Sequence, residues 1–234
     1  MNHQIKIFAD GASISGMLEM MGNPLVSGFT TNPTLMKKAG IRDYEAFAKE
    51  VLANITNLPI SFEVFSDTLE EMQRQALLIS SWAENVYVKI PSTNTQGIST
   101  TPTIANLAKE GVKLNITAMT TPAQVAALVP ALADGPPAIA SVFAGRIADS
   151  GRDPLPLMKE CLQLLSETPN VELLWASPRE IFNLVQAGQI GCHIITMTNE
   201  LIAKIPLIGK DLDEYALETV RMFAKDAESA GYEL

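Results

Sequence analysis

A lysine within an otherwise apolar segment is the residue of this sequence with the clearest chemical potential. Lys89 stands between Val88 and Ile90 in VYVKIP (86–91), a run that predicts a buried β-strand. Burial disfavours a charged ammonium, and a neutral lysine amine condenses with carbonyl groups to form a Schiff base. The alternative is a lysine whose stem packs along the strand while its ammonium reaches solvent. Spacing alone leaves both interpretations open.

Two carboxylates stand at the ends of predicted strands, where they could serve the same chemistry. Asp10 ends IKIFAD (5–10), and Glu63 lies in PISFEVF (59–65). A Schiff-base reaction needs proton transfers, which one or two positioned carboxylates supply. The alternatives are a turn residue before Gly11 for Asp10 and a charge at the strand end for Glu63.

A candidate anion site follows the later predicted strands. Arg146 ends one strand, and SPRE (177–180) resembles a helix start in which Ser177 is the N-cap and Glu180 closes a capping box. A helix N-terminus with adjacent arginines attracts a phosphate-sized anion, so we expect Arg146, Ser177 and Arg179 to converge on one group. The alternatives are that Ser177 only caps the helix and that Arg146 pairs with Asp149.

Eight strand-then-helix units predict the scaffold that positions these residues. The first strand ends in ADGASISG, which lacks the GxGxxG spacing of a dinucleotide-binding fold. The sequence therefore predicts an α/β fold, a (β/α)8 TIM barrel with an extra C-terminal helix, as a single domain over residues 1–234. The predicted strands are 5–10, 25–33, 59–65, 86–91, 111–117, 137–146, 171–177 and 191–198. The predicted helices are 43–55, 67–85, about 98–110, 122–133, 154–166, one opened by Pro178, and 211–230.

Polar and charged residues recur where the predicted strands end. In a TIM barrel the carboxyl ends of the strands form the face that carries the active site. Polar residues are also common wherever strands reach a surface, so the pattern has an ordinary explanation as well. The residues concerned are Asp10, Thr30, Thr31, Asn32, Glu63, Lys89, Asn115, Thr117, Phe143, Arg146, Ser177, Arg179, Thr196 and Thr198.

Composition narrows the classes of partner. A net charge of −9 argues against nucleic acid and anionic membranes, because no basic stripe exists to neutralise phosphates. Cys161 and Cys192 form no CxxC pattern, and no apolar run of membrane-spanning length occurs, which indicates a cytoplasmic protein. His3 and His193 lie at opposite ends of the chain, so no histidine-rich metal site is expected.

Six segments together resemble the transaldolase family, and specifically its compact branch, which includes the fructose-6-phosphate aldolases. The first strand departs from the family pattern, because FADGAS replaces the usual Asp-Thr pairing. The segments occur in order over most of the chain: GFTTNPT (28–34), EVF (63–65), VKIPSTNTQGI (88–98), LNIT (114–117), SVFAGRIAD (141–149) and WASPRE (175–180).

The resemblance implies a class I mechanism that uses neither metal nor cofactor. Lys89 would form a Schiff base with a ketose, and Asp10 would take the C4 hydroxyl proton as the C3–C4 bond breaks. Glu63 would act through a water molecule that Thr117 helps to hold.

The resemblance also implies roles in substrate binding. Asn32, Asn115 and Thr30 would hold the dihydroxyacetone unit. Glu63 and Phe143 resemble true transaldolases, whereas the aldolases that release dihydroxyacetone carry Gln and Tyr at these places. Transfer is therefore favoured over release.

Three functions follow as hypotheses. The first is a transaldolase that moves dihydroxyacetone from sedoheptulose 7-phosphate or fructose 6-phosphate to an aldose phosphate, within the pentose phosphate pathway. A transaldolase for a sugar sulfonate such as 6-deoxy-6-sulfofructose is a specialised form of it. The second is an aldolase that releases dihydroxyacetone, such as a fructose-6-phosphate aldolase. The third is a non-catalytic sugar-phosphate-binding barrel. In compact family members the C-terminal helix packs on a neighbouring subunit, which implies a homo-oligomer, with a decamer as one form.

Overall fold

The computed structural model describes residues 5–233, which form a closed barrel of eight parallel strands. Each strand pairs with the next along the chain, and the eighth closes on the first through Phe8–Thr196 and neighbouring pairs. The predicted (β/α)8 barrel is confirmed. The strands are β1 (Lys6–Asp10), β2 (Val26–Thr30), β3 (Ile60–Glu63), β4 (Val86–Pro91), β5 (Leu114–Met119), β6 (Ala138–Val142), β7 (Val171–Trp175) and β8 (Ile194–Met197).

Helices follow the strands, and short polar residues fix where several of them begin. Asp43 and Ser13 accept hydrogen bonds from backbone amides of the first turns that follow them. Pro33 and Pro122 occupy first helical positions, where a missing N–H is tolerated. The helices are α1 (Ile14–Met21), α2 (Pro33–Lys38), α3 (Tyr44–Asn54), α4 (Leu69–Ser80), α5 (Thr101–Lys109), α6 (Pro122–Ala126), α7 (Val129–Leu132), α8 (Ala144–Asp149), α9 (Pro154–Leu164), α10 (Phe182–Ile190), α11 (Asn199–Ile202) and α12 (Leu212–Ala230).

An apolar cluster in the barrel lies one register step below the polar strand ends. Phe8, Ile139, Leu174 and Ile194 are all buried in this cluster. Two residues after Phe8, Ile139 and Ile194 stand Asp10, Ser141 and Thr196, on the same face of each strand. The apolar cluster therefore closes the barrel beneath the polar residues. Gly28 makes room for it, because a Cβ there would lie 2.6 Å from the Phe8 ring.

The second predicted strand was too long. β2 ends at Thr30, not at Pro33, because the Asn32 side chain accepts a hydrogen bond from the Leu35 amide and begins helix α2. The predicted helix over 122–133 is divided into α6 and α7, with Pro130 near the start of the second.

The prediction that SPRE opens a helix was also wrong. Helix α10 begins at Phe182, and residues 177–180 form an irregular connection. The Asn183 side chain accepts hydrogen bonds from the amides of Arg179 (2.7 Å) and Glu180 (3.2 Å), which stabilises that connection. Ser177 therefore does not act as a helix N-cap.

The described chain divides into two compact units. The first ends at Ile202 and contains the whole barrel. The second begins at Ala203 and contains the additional C-terminal helix, α12, capped by the Asp211 side chain. Between residues 5 and 233 we find no helix with the length and apolar character needed to cross a membrane. His3 lies outside the described residues.

Candidate active site

A cavity of about 410 Å³ opens at the carboxyl ends of the barrel strands. Its wall combines charged and hydroxyl side chains with a few apolar ones, as in many binding sites for small polar molecules. The lining residues are Asp10, Thr30, Asn32, Pro33, Thr34, Leu35, Glu63, Lys89, Thr117, Ala118, Ser141, Phe143, Arg146, Leu174, Ala176, Ser177 and Thr196.

Lys89 lies in this cavity and is only 7% exposed. The register of the sheet aligns Glu63 with Lys89 and Lys89 with Asn115 on adjacent strands. The Lys89 Nζ lies 3.3 Å from Glu63 Oε2 and donates a hydrogen bond to the Thr31 carbonyl oxygen at 3.0 Å. The amine is thus shielded from bulk water and held between two acceptors.

Asp10 stands at the end of β1 among hydrogen-bond donors. Thr30 Oγ1 donates to Asp10 Oδ1 at 2.8 Å, and Asn32 Nδ2 lies 3.4 Å from Oδ2. Burial raises the pKa of Asp10 above its ordinary value, while the Lys89 charge and the hydrogen bonds from Thr30 and Asn32 partly offset that rise. A carboxylate with a raised pKa accepts a proton more readily, which suits a general base.

A buried polar chain supports the floor of the cavity. Asn115 Nδ2 donates to Ser61 Oγ at 2.9 Å, and Ser141 Oγ donates to Asn115 Oδ1 at 2.6 Å. Ser141 lines the cavity, whereas Asn115 is fully buried behind it. Each polar atom named here has a hydrogen-bond partner, so this network holds the three side chains in fixed orientations.

Thr117 is a buried hydroxyl that lines the cavity without a hydrogen-bond partner among the described residues. A buried hydroxyl is normally paired, so an unpaired one in a cavity wall is suited to a bound water or ligand. The next residue, Ala118, has a left-handed backbone with φ of 61° and also lines the cavity. Such a conformation in a non-glycine residue is found preferentially at functional sites.

Two arginines at the outer end of the cavity differ in whether they line it and in what they contact. Arg146 lines it, with its guanidinium carbon 5.7 Å from the centroid of the Phe143 ring. Arg179 is exposed and does not line it; its Nε donates to Asp149 Oδ1 at 3.0 Å, and its Nη2 contacts the other carboxylate oxygen. Asp149 thus pairs with Arg179, not with Arg146 as one alternative had it.

Backbone geometry at this end is tightly constrained. Ser177 has a φ of 58° and lines the cavity. Its carbonyl oxygen approaches Gly145 so closely that a Cβ at that glycine would lie 1.5 Å away. Residue 145 must therefore be glycine so that the segments that follow β6 and β7 can pack against each other beside Arg146.

The structure brings most of the predicted site residues to one cavity. Asp10, Thr30, Asn32, Glu63, Lys89, Thr117, Phe143, Arg146 and Ser177 line it, and Asn115 contacts it through Ser141. Sequence reasoning missed Ser61, Ser141 and Tyr44. The first two lie mid-strand, where alternation with apolar neighbours is their only signal, and Tyr44 stands at the start of an amphipathic helix, where its sequence context indicates packing. Among residues 5–233, no group of three or more His, Cys, Asp or Glu could hold a metal ion.

Comparison with known proteins gives a family match over nearly the whole chain. The family model described as transaldolase/fructose-6-phosphate aldolase matches residues 7–234. A probable transaldolase of Dehalococcoides mccartyi is 35% identical over 202 residues, covering 86% of this chain and 90% of the relative. A probable transaldolase 2 of Listeria monocytogenes is 35% identical over 215 residues, covering 90% and 94%.

Solved structures match in fold alone. A protein of Burkholderia cenocepacia provisionally named a phosphonomutase has a TM-score of 0.56 at 15% identity, covering 96% of this chain and 95% of that one. A second from that species, provisionally named a lyase/mutase, has a TM-score of 0.60 at 12% identity, covering 99% and 87%.

Proposed function

The chain belongs to the transaldolase/fructose-6-phosphate aldolase family, and on that premise we propose that it transfers a dihydroxyacetone unit between sugar phosphates through a Schiff base on Lys89. Relatives named as probable transaldolases indicate an enzyme. The donor would be sedoheptulose 7-phosphate or fructose 6-phosphate, and the acceptor an aldose phosphate.

One observation carries this proposal: the Lys89 amine lies within a polar cavity with a carboxylate 3.3 Å away and with a second carboxylate, Asp10, in the same wall. A solvent-directed structural lysine needs neither the burial nor the two carboxylates. The arrangement supplies a nucleophile and two proton carriers, which is what imine chemistry requires.

The first stage is formation of the imine. Glu63 accepts a proton from the ammonium, and the neutral amine adds to the ketose carbonyl to give a carbinolamine. The carbinolamine hydroxyl then takes up a proton and leaves as water, which forms the iminium. We assign this proton delivery to Glu63, through a water molecule held by Thr117, whose hydroxyl is unpaired among the described residues.

The second stage is cleavage and transfer. Asp10 takes the C4 hydroxyl proton, the C3–C4 electrons move into the iminium, and the aldose leaves while an enamine remains on Lys89. The incoming aldehyde accepts those electrons as the new C–C bond forms, and Asp10 returns its proton to the resulting alkoxide. The raised pKa of Asp10 suits both directions of this transfer. Water then hydrolyses the new iminium.

Transfer depends on survival of the enamine until an acceptor arrives. Phe143 lines the cavity and carries no hydroxyl that could protonate the carbanion. The floor beside it is closed by the apolar side chain of Leu174. Both features favour transfer over release of free dihydroxyacetone.

The distal end of the substrate would carry a tetrahedral anion. Arg146 and Ser177 line the outer cavity, and charge-assisted hydrogen bonds from arginine suit phosphate and sulfonate alike. Arg179 would join them after exchanging Asp149 for the anion. A sugar sulfonate thus stays an alternative substrate, and parallel assays with a phosphorylated and a sulfonated ketose decide between them.

The test of the function is a transfer assay with and without an acceptor. We expect rapid turnover of the ketose phosphate when an aldose phosphate is present and slow release of dihydroxyacetone from the donor alone. Lys89→Ala should abolish both. Equal rates with and without acceptor would favour an aldolase, and full activity of Lys89→Ala would overturn the proposal.

The state of the protein in the cell stays a prediction. We propose a cytoplasmic homo-oligomer, with α12 as the element that meets a second copy, because the large apolar side chains of Tyr215, Leu217, Val220 and Phe223 are exposed along it. Sedimentation as a monomer would contradict this. The assignment of all 234 residues to one domain is likewise a prediction, tested by a single unfolding transition.

A further inference from the structure

The backbone hydrogen-bond ladder between β2 and β3 stops at Ser61, one step before Glu63. The Thr31 amide donates to the Ser61 carbonyl at 3.2 Å. A continued parallel ladder would next join the Glu63 amide to the Thr31 carbonyl, and then the amide of residue 33 to the Glu63 carbonyl. Residue 33 is proline and has no N–H, so this last bond cannot form. The Glu63 carbonyl therefore needs another partner, and the Glu63 amide bonds to that same partner instead of to the Thr31 carbonyl.

The hydroxyl of Tyr44 is that partner for both groups. It accepts a hydrogen bond from the Glu63 amide at 2.7 Å and donates one to the Glu63 carbonyl at 3.1 Å. A single side chain therefore takes the place of the missing stretch of β2. A buried backbone group without a hydrogen-bond partner costs free energy, so the Tyr44 hydroxyl stabilises the end of β3 by pairing with both groups of Glu63.

Because the Glu63 amide bonds to Tyr44, the Thr31 carbonyl accepts from Lys89 at 3.0 Å instead. The Glu63 carboxylate lies 3.3 Å from the same nitrogen. Resting on the function proposed above, we propose that Tyr44 is a positioning residue: its hydroxyl replaces the β2–β3 ladder at Glu63 and so leaves the Thr31 carbonyl to hold the Lys89 amine. It touches neither substrate nor reacting atoms, and it acts through Glu63 and Thr31.

The surroundings of Tyr44 hold its hydroxyl in place. Its ring packs edge-on against Phe65, Trp82 and Phe62, with centroid distances of 4.4, 5.8 and 6.1 Å. It is the first residue of α3, whose start is fixed by the Asp43 side chain accepting from the Ala46 amide at 3.0 Å. Burial raises the pKa of Tyr44 well above its ordinary value, so the hydroxyl stays protonated and keeps its donor.

Tyr44→Phe tests the proposal because it removes the hydroxyl and keeps the ring. The Glu63 amide is then free to turn to the Thr31 carbonyl, which withdraws an acceptor from Lys89. We expect kcat to fall by about 10- to 100-fold, the scale of an ångström-level misplacement, with little change in KM. The rate of borohydride-trapped adduct formation on Lys89 should fall in parallel.

Two controls separate positioning from stability. Tyr87→Phe removes a hydroxyl from the strand of Lys89 without touching the Glu63 backbone, and kcat should stay close to wild type. Phe47→Leu removes a buried ring that packs 6.5 Å from Phe62, centroid to centroid, but leaves Tyr44 unchanged. This variant should lower Tm without lowering kcat at a temperature where it is folded.

The outcomes distinguish the two proposals. Absence of any wild-type adduct on Lys89 removes the proposed function itself. A wild-type adduct together with wild-type kcat in folded Tyr44→Phe overturns only the role of Tyr44. A fall of kcat in Phe47→Leu equal to that in Tyr44→Phe also overturns it, because packing alone would then explain the loss.

Discussion

The two ends of the cavity differ in how firmly contacts within the protein hold their polar residues. At the inner end, the Lys89 amine, the Asp10 carboxylate and the Glu63 backbone each have short contacts to side chains or backbone groups from other parts of the chain. At the outer end, Arg146 is exposed, and Arg179 is bound to Asp149 outside the cavity. The end that holds Lys89, where we propose that the reaction occurs, is thus pre-organised, whereas the proposed anion end would be completed by the ligand.

Charge and solvent explain this difference. A buried charge without partners is very costly, so the inner residues must be held by contacts that exist before substrate arrives. An exposed ion pair contributes little to stability because water screens it, so a substrate anion can displace Asp149 from Arg179 at little cost. Substitutions at the inner end should therefore act on kcat, and those at the outer end on KM.

The largest effect is expected from Asp10→Asn. The amide keeps a similar shape but cannot accept the C4 hydroxyl proton, so kcat should fall by about 100- to 10,000-fold, the range for loss of a general base. KM should change little. Asp134→Asn, at an exposed aspartate outside the cavity, is the control. A loss of less than threefold in Asp10→Asn would remove Asp10 from the proton transfers.

Arg146→Ala should act mainly on KM. Charge-assisted hydrogen bonds are worth about 1.5–3 kcal/mol, so KM for a ketose phosphate should rise about 10- to 100-fold while kcat is nearly kept. The matched control is Arg152→Ala, at an exposed arginine that does not line the cavity. An equal effect on fructose and fructose 6-phosphate would contradict an anion-binding role.

Asp149→Asn tests whether the anion end is completed on binding. Without the carboxylate, Arg179 is free before substrate arrives, and the cost of breaking the pair disappears. KM for the phosphorylated donor should fall by up to about fivefold, as expected for an exposed ion pair. The same substitution should strengthen competitive inhibition by inorganic phosphate. A rise in KM would show that Asp149 supports the site in its present form.

The smallest predicted effect is on stability, and it comes from the raised pKa of Asp10. The pKa of Asp10 is raised in the folded protein, so the native state binds this proton more tightly than the unfolded state, and stability falls as pH rises from 3.8 towards the raised value. Asp10→Asn removes that loss. Thermal unfolding of the variant at neutral pH should occur at a higher temperature than that of wild type, and the gap should narrow towards pH of about 4. A lower Tm at neutral pH would contradict the burial argument.

The sequence predicted what depends on local pattern. The apolar run around Lys89 gave β4 its observed bounds, 86–91, and the rhythm of strands and helices gave the barrel. The placement of polar residues after apolar strands indicated the carboxyl-end face. The register that aligns Glu63 with Lys89 then follows from neighbouring parallel strands.

What the sequence did not reveal depends on contacts between distant segments. Tyr44 looks like one more apolar position of an amphipathic helix, and only the fold brings its hydroxyl to the backbone of Glu63. Asp149 lies three residues after Arg146, which suggested that pair, yet the structure pairs it with Arg179 from the next β/α unit. SPRE matches a helix-start pattern, but Asn183 binds the amides that such a cap would have used.

The central claim is that the buried amine of Lys89 bonds covalently to the substrate. Borohydride reduction in the presence of a ketose phosphate, followed by peptide mass spectrometry, tests it most directly. We predict a reduced three-carbon adduct on the peptide that contains Lys89 and none in Lys89→Ala. Continued turnover with no adduct, or an adduct spread over exposed lysines at the level found without substrate, would contradict it.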